Sequence, residues 1–290
     1  MVFNVVNRKI FGVLFGVLAG VMWAFEAILG KILLPSLSSI QIAASESLFA
    51  AITSFTYILL SGKPIKVKAS HKTDILFVGL VGSVLAPIAY FLGLKLTFAI
   101  NATLLAHIQP LFISILGFLF LGEKIQRNDV IGGLMIGAAA ILVSGRNLEN
   151  LSNLRFNVGD LVVLLATFCW ALAAIPGKRL TETNSSMLIV GYRFLVASIF
   201  FIPLLLILDQ LMIKSIYQVI LGVIIGLGYI FYYEGLRRIK ASQVALTELS
   251  SPLFTAILAW FTLKEYMTWL QAIGALLLVA GLIILAHESS

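Results

Sequence analysis

The sequence predicts an all-α integral membrane protein whose ten transmembrane helices form two inverted five-helix repeats. Three observations lead there. Charged residues make up 11% of the 290 residues and hydrophobic ones 60%, with a mean hydropathy of +1.06, whereas soluble domains carry about 25% charged residues. The apolar residues fall into ten runs of membrane-crossing length, about 20 residues each. Finally, Trp23-Ala24-Phe25-Glu26-Ala27-Ile28-Leu29-Gly30-Lys31 returns 147 residues later as Trp170-Ala171-Leu172-Ala173-Ala174-Ile175-Pro176-Gly177-Lys178. Trp, Ala, Ile, Gly and Lys recur in register, which makes the chain two copies of one design.

The spans fall near 11–34, 39–60, 74–96, 98–121, 129–146, 158–180, 186–208, 216–236, 241–263 and 268–287. The first follows Arg8-Lys9 as the core of a signal peptide would. Its apolar run continues to about Leu34, however, and its counterpart recurs at Trp170, so it reads as a retained first helix. Gly12, Gly16 and Gly20 share one face of it and permit a close neighbour. Pro35-Ser36 ends the first helix and Ser61-Gly62-Lys63-Pro64 the second. The third carries Pro87 and closes on Gly93-Leu94-Lys95; the fourth carries Pro110 and closes on Gly122-Glu123-Lys124; the fifth carries Gly132.

In the second half Asn184-Ser185-Ser186 separates the sixth and seventh helices and Gly235-Leu236-Arg237 closes the eighth. Pro252 lies in the ninth, Glu265 follows it, and Gly274 lies in the tenth. These last landmarks repeat at an offset of 142 rather than 147, and the change falls between the second and third helix of each half. Indels belong in such surface connections. The units are therefore 1–146 and 158–290, joined by a linker at 147–157. The connections near 61–73 and 147–157 hold at most an interfacial turn. Each unit has an odd number of spans, so the second enters from the opposite side, as in secondary transporters whose sites lie near the midplane between repeats.

The net charge of +7 is a matter of topology. Basic residues sit in short connections and build no patch with interleaved aromatics, which excludes a nucleic-acid partner. With the N-terminus in the cytoplasm, 13 Lys and Arg fall inside and 6 outside. The positive-inside rule then predicts a multi-pass protein of the cytoplasmic membrane with both termini cytoplasmic. The single cysteine, Cys169, excludes an intrachain disulfide and a cysteine-based metal site.

The first-helix repeat, Gly-Leu-(Lys/Arg) closing the third helix of each half, a proline midway along the fourth and a glutamate at its end (Glu123, Glu265) resemble the EamA type of the drug/metabolite transporter superfamily. The resemblance covers nearly the whole chain. It implies a ten-helix, two-repeat carrier built like the aromatic amino acid exporters, in a family that includes exporters of amino acids and other metabolites. One feature departs from the family: the second helix of each half commonly carries a basic residue followed by an aromatic. Arg193-Phe194 fits this, but the first half has Glu46-Ser47, so a role for the arginine does not carry over to helix 2.

Trp23 and Trp170 each lie about twelve residues into their spans, near mid-membrane at about 1.5 Å per residue and away from the interfaces that tryptophan favours. The pair suits a cavity wall offering indole faces to apolar or cationic groups, or equally a pair of packing anchors. Pro87, Pro110 and Pro252 each loosen the carbonyl four residues back, and free carbonyls in hydrocarbon need a partner or a wet cavity. On the ninth helix Gln243, Thr247 and Ser251 share a face, matched on the fourth by Asn101 and Gln109; this face is expected to line the cavity. Tyr90 and Tyr232 are repeat equivalents that fit an aromatic or amphipathic solute, and core packing equally.

Ionisable residues inside spans are expensive and mark function by default. Glu26, Glu46 and His107 fall in the outer half, and Arg193, Glu234 and Glu248 in the inner half. They are expected to form two polar clusters flanking the midplane, acting as alternate gates or proton-linked elements. Glu26 is on the Trp23 side of helix 1, where a carboxyl must be neutral or paired. His107 lies away from the Asn101/Gln109 face and also reads as a buried histidine bonded to a neighbouring helix. Arg193 and Glu234 are near enough to the inner boundary to snorkel.

No phosphate loop, metal spacing, nucleophile elbow or kinase signature occurs, so no cofactor, metal or catalytic residue is expected. The leading expectation is a carrier that alternates access, moving amino acids or related amphipathic solutes outward. Helices 1, 3, 4, 6, 8 and 9 would form its cavity, with 5 and 10 at the back. Proton-antiport efflux of cationic compounds is the alternative; a lipid-acting enzyme or a scaffold is more distant. The implied partners are a small-molecule substrate and the lipid bilayer, and both a monomer and a homodimer are compatible.

Overall fold

A computed structural model of the chain describes residues 2–62, 65, 71–121, 126–153, 157–239 and 241–286. Ten helices are long and apolar enough to cross a membrane: α1 (Lys9–Leu33), α2 (Ser39–Leu60), α3 (Lys72–Leu96), α4 (Ala99–Phe120), α5 (Arg127–Gly145), α6 (Val158–Thr181), α7 (Ser186–Ile207), α8 (Ile216–Leu236), α9 (Gln243–Leu263) and α10 (Trp269–Ala286). An even number of crossings returns the chain to its starting face. Among the described residues between α5 and α6 the one helix is the five-residue Leu148–Ser152. Large apolar side chains such as Leu60, Phe120, Leu134, Leu206, Ile207 and Leu276 are exposed around the bundle, a surface that suits lipid and not water.

Local chemistry sets the helix starts. Ser38 opens α2 with a capping box, accepting from the Gln41 amide at 3.1 Å while its own amide donates to Gln41 Oε1 at 2.9 Å. Its repeat equivalent Ser185 caps α7 by accepting from the Leu188 amide at 3.3 Å.

The halves interleave. α1 packs on α8 and α9, as α6 packs on α3 and α4, while α2 packs on α7 and α5 on α10. This pattern is the inverted repeat expressed as contacts. Glycine allows the close approach of α3 and α6: a Cβ on Gly93 would lie 2.7 Å from the Gly159 carbonyl, whereas one on the equivalent Gly235 would make ordinary contact, 3.5 Å from the Gly12 carbonyl. The Gly12, Gly16, Gly20 face of α1 meets Ile239, Thr247 and Ser250 as closely as Gly93 meets Gly159.

Proline interrupts three helices. α4 breaks at His107-Ile108, ahead of Pro110, and α9 breaks at Leu249, ahead of Pro252. His107 and Leu249 are repeat equivalents, so both halves carry a discontinuous helix at one place. In α3 the turn before Pro87 is a π-helix, Val81–Leu85, which has no counterpart in α8. Such bulges mark the positions where backbone groups leave the helical ladder.

Candidate functional site

These interruptions surround a cavity of about 400 Å³ between the halves. Its walls are Trp23 and Glu26 of α1, Tyr90 of α3, Thr103, His107 and Gln109 of α4, Trp170 of α6, Arg193 of α7, Tyr229, Tyr232 and Tyr233 of α8, and Glu248 of α9. The lining continues to Asp129, Leu236 and Ala286, at the helix ends on the face that carries both chain ends. At the opposite face no lining residue lies in a terminal helical turn, so the cavity opens to one side.

The two tryptophans reach across the repeat interface. The Trp23 indole N–H donates to Glu248 Oε1 at 2.7 Å, and Trp23 meets Tyr229 edge-on at 4.8 Å between ring centroids. Trp170 donates to the Gly82 carbonyl at 3.2 Å and packs on Tyr90 at 5.3 Å. Gly82 lies in the π-turn, and its carbonyl also accepts from Arg193 Nη2 at 3.0 Å.

Carbonyls loosened by proline are likewise met. Pro252 displaces the Glu248 carbonyl, which lies 2.9 Å from His107 Nε2, while His107 Nδ1 lies 2.7 Å from the Thr103 carbonyl. A neutral imidazole has one N–H to give and serves one carbonyl at a time; the imidazolium serves both. Pro87 displaces the Ser83 carbonyl, which accepts from Ser47 Oγ at 3.5 Å. His107 is thus both on the cavity wall and bonded to a neighbouring helix.

Arg193 is 3% exposed and does not reach a membrane boundary as its sequence position suggests. Its Nε donates to Ser83 Oγ at 2.8 Å and its Nη1 to the Tyr233 hydroxyl at 3.2 Å, and its guanidinium lies 4.0 Å above the Tyr229 ring centroid. Glu46, its repeat equivalent, is off the cavity wall, 2% exposed, with an Oε2 that has no partner. Glu234 is also off the wall. At the end of α8 it accepts from Ser186 at 2.7 Å and pairs with Arg238.

Four residues expected on the wall are elsewhere. Asn101 is buried at the closed end, donating to the Asp160 carboxylate at 3.2 Å and accepting from Gln271. Gln243 is exposed. Thr247 packs on the glycine face of α1 instead, where a Cβ on Gly16 would fall 1.8 Å from its Oγ1, and Ser251 is buried off the cavity wall. From the same stretch of α9, Ala245 and Glu248 face the cavity. α5 and α10 pack on each other as expected at the back, yet Asp129, Leu282 and Leu285 also form the cavity mouth. Glu123 and the tail 287–290 lie outside the described residues.

Polar bonds close the opposite end. Thr97 donates to Asp160, Gln41 to the Leu211 carbonyl at 2.9 Å, and Gln218 to Ser45 at 3.0 Å. Glu265 accepts from the Ala99 amide at 2.8 Å. Burial pushes the Glu265 carboxyl above its ordinary range, against the pull of Lys31, the Ala99 and Ile100 amides and Arg146. Tyr233, the repeat equivalent of Phe91, lies on the wall with Tyr232, and Tyr229, which the repeat does not single out, joins them there because the three fall at i, i+3 and i+4 on α8. Asp160 had no signal in the sequence, because its partners Thr97 and Asn101 come from the α3–α4 connection and the start of α4, 63 and 59 residues away in sequence.

Comparison with known proteins agrees with this architecture. The EamA-like transporter family matches residues 10–145 and 157–286. An uncharacterized transporter of Methanothermobacter thermautotrophicus is 30% identical, over 96% of this chain and 87% of the relative. The pseudopaline exporter CntI of Pseudomonas aeruginosa is 25% identical over 95% and 96% of the two chains. The riboflavin transporter ImpX of Fusobacterium nucleatum is 25% identical over 96% and 98%. A solved structure superposes with a TM-score of 0.68 at 18% identity, covering 94% of this chain and 95% of that one. The chain therefore belongs to the EamA-like transporter family, a secondary transporter of small molecules and not an enzyme.

Proposed function

We propose that this transporter exports amino acids or closely related amphipathic metabolites across the cytoplasmic membrane, with both termini in the cytoplasm. The observation that supports this reading is the mixed chemistry of one cavity wall. Trp23, Trp170, Tyr90, Tyr229 and Tyr232 offer apolar faces, while Glu26, Glu248 and Arg193 offer both signs of charge. An amphipathic zwitterion needs all three. The volume of about 400 Å³ suits a single small solute. On this topology the cavity opens to the cytoplasm, the loading side of an exporter, and rocking of the halves would carry it outward.

The relatives named for pseudopaline export and riboflavin transport support a metabolite as cargo without selecting one. A second reading, proton-linked efflux of cationic compounds, is favoured by one feature: two carboxyls, Glu26 and Glu248, share the wall with the indole rings. Counterflow into proteoliposomes preloaded with aromatic, aliphatic or basic amino acids, or with cationic dyes, separates the two. Selective exchange of one amino acid class is expected. Exchange of dyes alone would overturn the reading in favour of drug efflux.

A further inference from the structure

Arg193 carries a charge whose counter-ion the fold does not supply. All its hydrogen-bond partners are neutral: the Ser83 hydroxyl, the Gly82 carbonyl and the tyrosine hydroxyls beside it. Among the described residues no carboxylate is within ion-pair distance of it. A guanidinium does not shed its proton in a protein, and a fixed charge buried without an anion is strongly unfavourable.

The carboxyls around it are committed elsewhere or too far. Glu248 accepts from Trp23 at 2.7 Å. Glu26, on the same wall, makes no ion pair among the described residues. Glu46 interacts with Arg193 only through space, and its Oε2 is left without a partner. The repeat sharpens the point: Glu46 and Arg193 occupy one position in the two halves, yet only the arginine reaches the cavity.

We propose that Arg193 anchors an anionic group of the transported solute, so that the cargo is a small carboxylate with an apolar or aromatic body. This rests on the reading of the central cavity as the route for exported metabolites. Four acceptors, Ser83 Oγ, the Gly82 carbonyl and the Tyr229 and Tyr233 hydroxyls, leave one of the five guanidinium N–H donors free, and a carboxylate oxygen takes it in a charge-assisted bond. Trp23, Trp170 and Tyr229 then hold the body. In an amino acid Glu26 meets the ammonium group.

The test is counterflow with the full-length chain in proteoliposomes, using matched sets on an indole and on an isobutyl body. Each set holds the amino acid, its methyl ester, the amine without the carboxyl and the acid without the amine. Wild type should exchange the free acids about 10-fold or more better than the ester and the amine, the factor expected for a lost charge-assisted bond. Arg193→Gln should abolish that preference, and Arg193→Lys should restore part of it. The wild-type comparison decides even where a variant fails to fold. Equal exchange of acids and esters by wild type would overturn the proposal. So would recovery of acid exchange in Arg193→Gln/Glu46→Gln, which would reduce Arg193 to a neutraliser of Glu46. Exchange of the amine-free acids alone would support the anchor while overturning the amino acid reading; exchange of amines or dyes alone would overturn both.

Discussion

Trp23 of α1 donates its indole N–H to Glu248 of α9 at 2.7 Å, a bond that joins the two halves at the cavity wall. Glu248 is held twice by the first half, since its backbone carbonyl, displaced by Pro252, lies 2.9 Å from His107 Nε2 of α4. The residue just before the break in α9 is therefore held by contacts from the other repeat. A transporter that alternates access needs such a joint, because it must be made in one state and released in another.

Trp23→Phe keeps an aromatic ring but leaves the Glu248 carboxyl without its donor. A hydrogen bond to a charged group is worth about 1.5–3 kcal/mol, so exchange should fall by about 10- to 100-fold. Glu248→Gln, which still offers the indole an oxygen, should retain more exchange than Glu248→Ala. Counterflow rates measured at equal reconstituted protein check the order.

His107→Ala removes the ring that lies against two backbone carbonyls, at Thr103 and Glu248. An orphaned buried carbonyl costs about 1–3 kcal/mol. The detergent melting temperature should drop, and His107→Gln, with an N–H₂ to offer, should recover part of it. An unchanged melting temperature in His107→Ala would show that the carbonyls find other partners.

The closed end is held by Asp160 with Thr97 and Asn101, and by Asn101 with Gln271. Asp160→Ala or Gln271→Leu should shift the equilibrium toward a state open at that face. A coupling of about 1–3 kcal/mol corresponds to a 5- to 150-fold change. A cysteine placed at Tyr90, in a Cys169→Ser background, should react faster with an impermeant thiol reagent added from that face; equal rates would contradict the seal.

Close approach predicts a contrast between glycines. A Cβ on Gly20 would fall 2.2 Å from Ser250 Oγ, whereas one on Gly137 meets nothing within 4 Å. Gly20→Val should lose about 1–3 kcal/mol or more through overpacking, seen as poor yield and low melting temperature. Gly137→Ala should match wild type.

Sequence length and periodicity made the helices legible. The predicted span 216–236 coincides with α8, and 98–121 differs from α4 by one residue at each end. Trp23 and its repeat equivalent Trp170 both line the central cavity, and residues equivalent under inversion converge where halves meet. A shared face was extended through the breaks, from Asn101 to Gln109 across His107-Ile108 and from Thr247 to Ser251 across Leu249, and helical phase does not survive a break. The Asp160 cluster was not legible, since its partners come from distant parts of the chain, and a proline does not specify that the turn ahead of it, Val81–Leu85, takes a π rather than an α form. Proline spacing did mark where the helices break.

The most direct measurement on the central claim, that solute passes through the cavity between Trp23 and Trp170, is counterflow by a carrier whose cavity is filled. Ala174 lines that cavity, and Ala174→Trp would occupy it with an indole. Exchange of the wild-type amino acid substrate should fall to the level of empty liposomes while melting temperature and elution profile stay near wild type. Undiminished exchange by a folded Ala174→Trp carrier would contradict the claim and place the route elsewhere in the bundle.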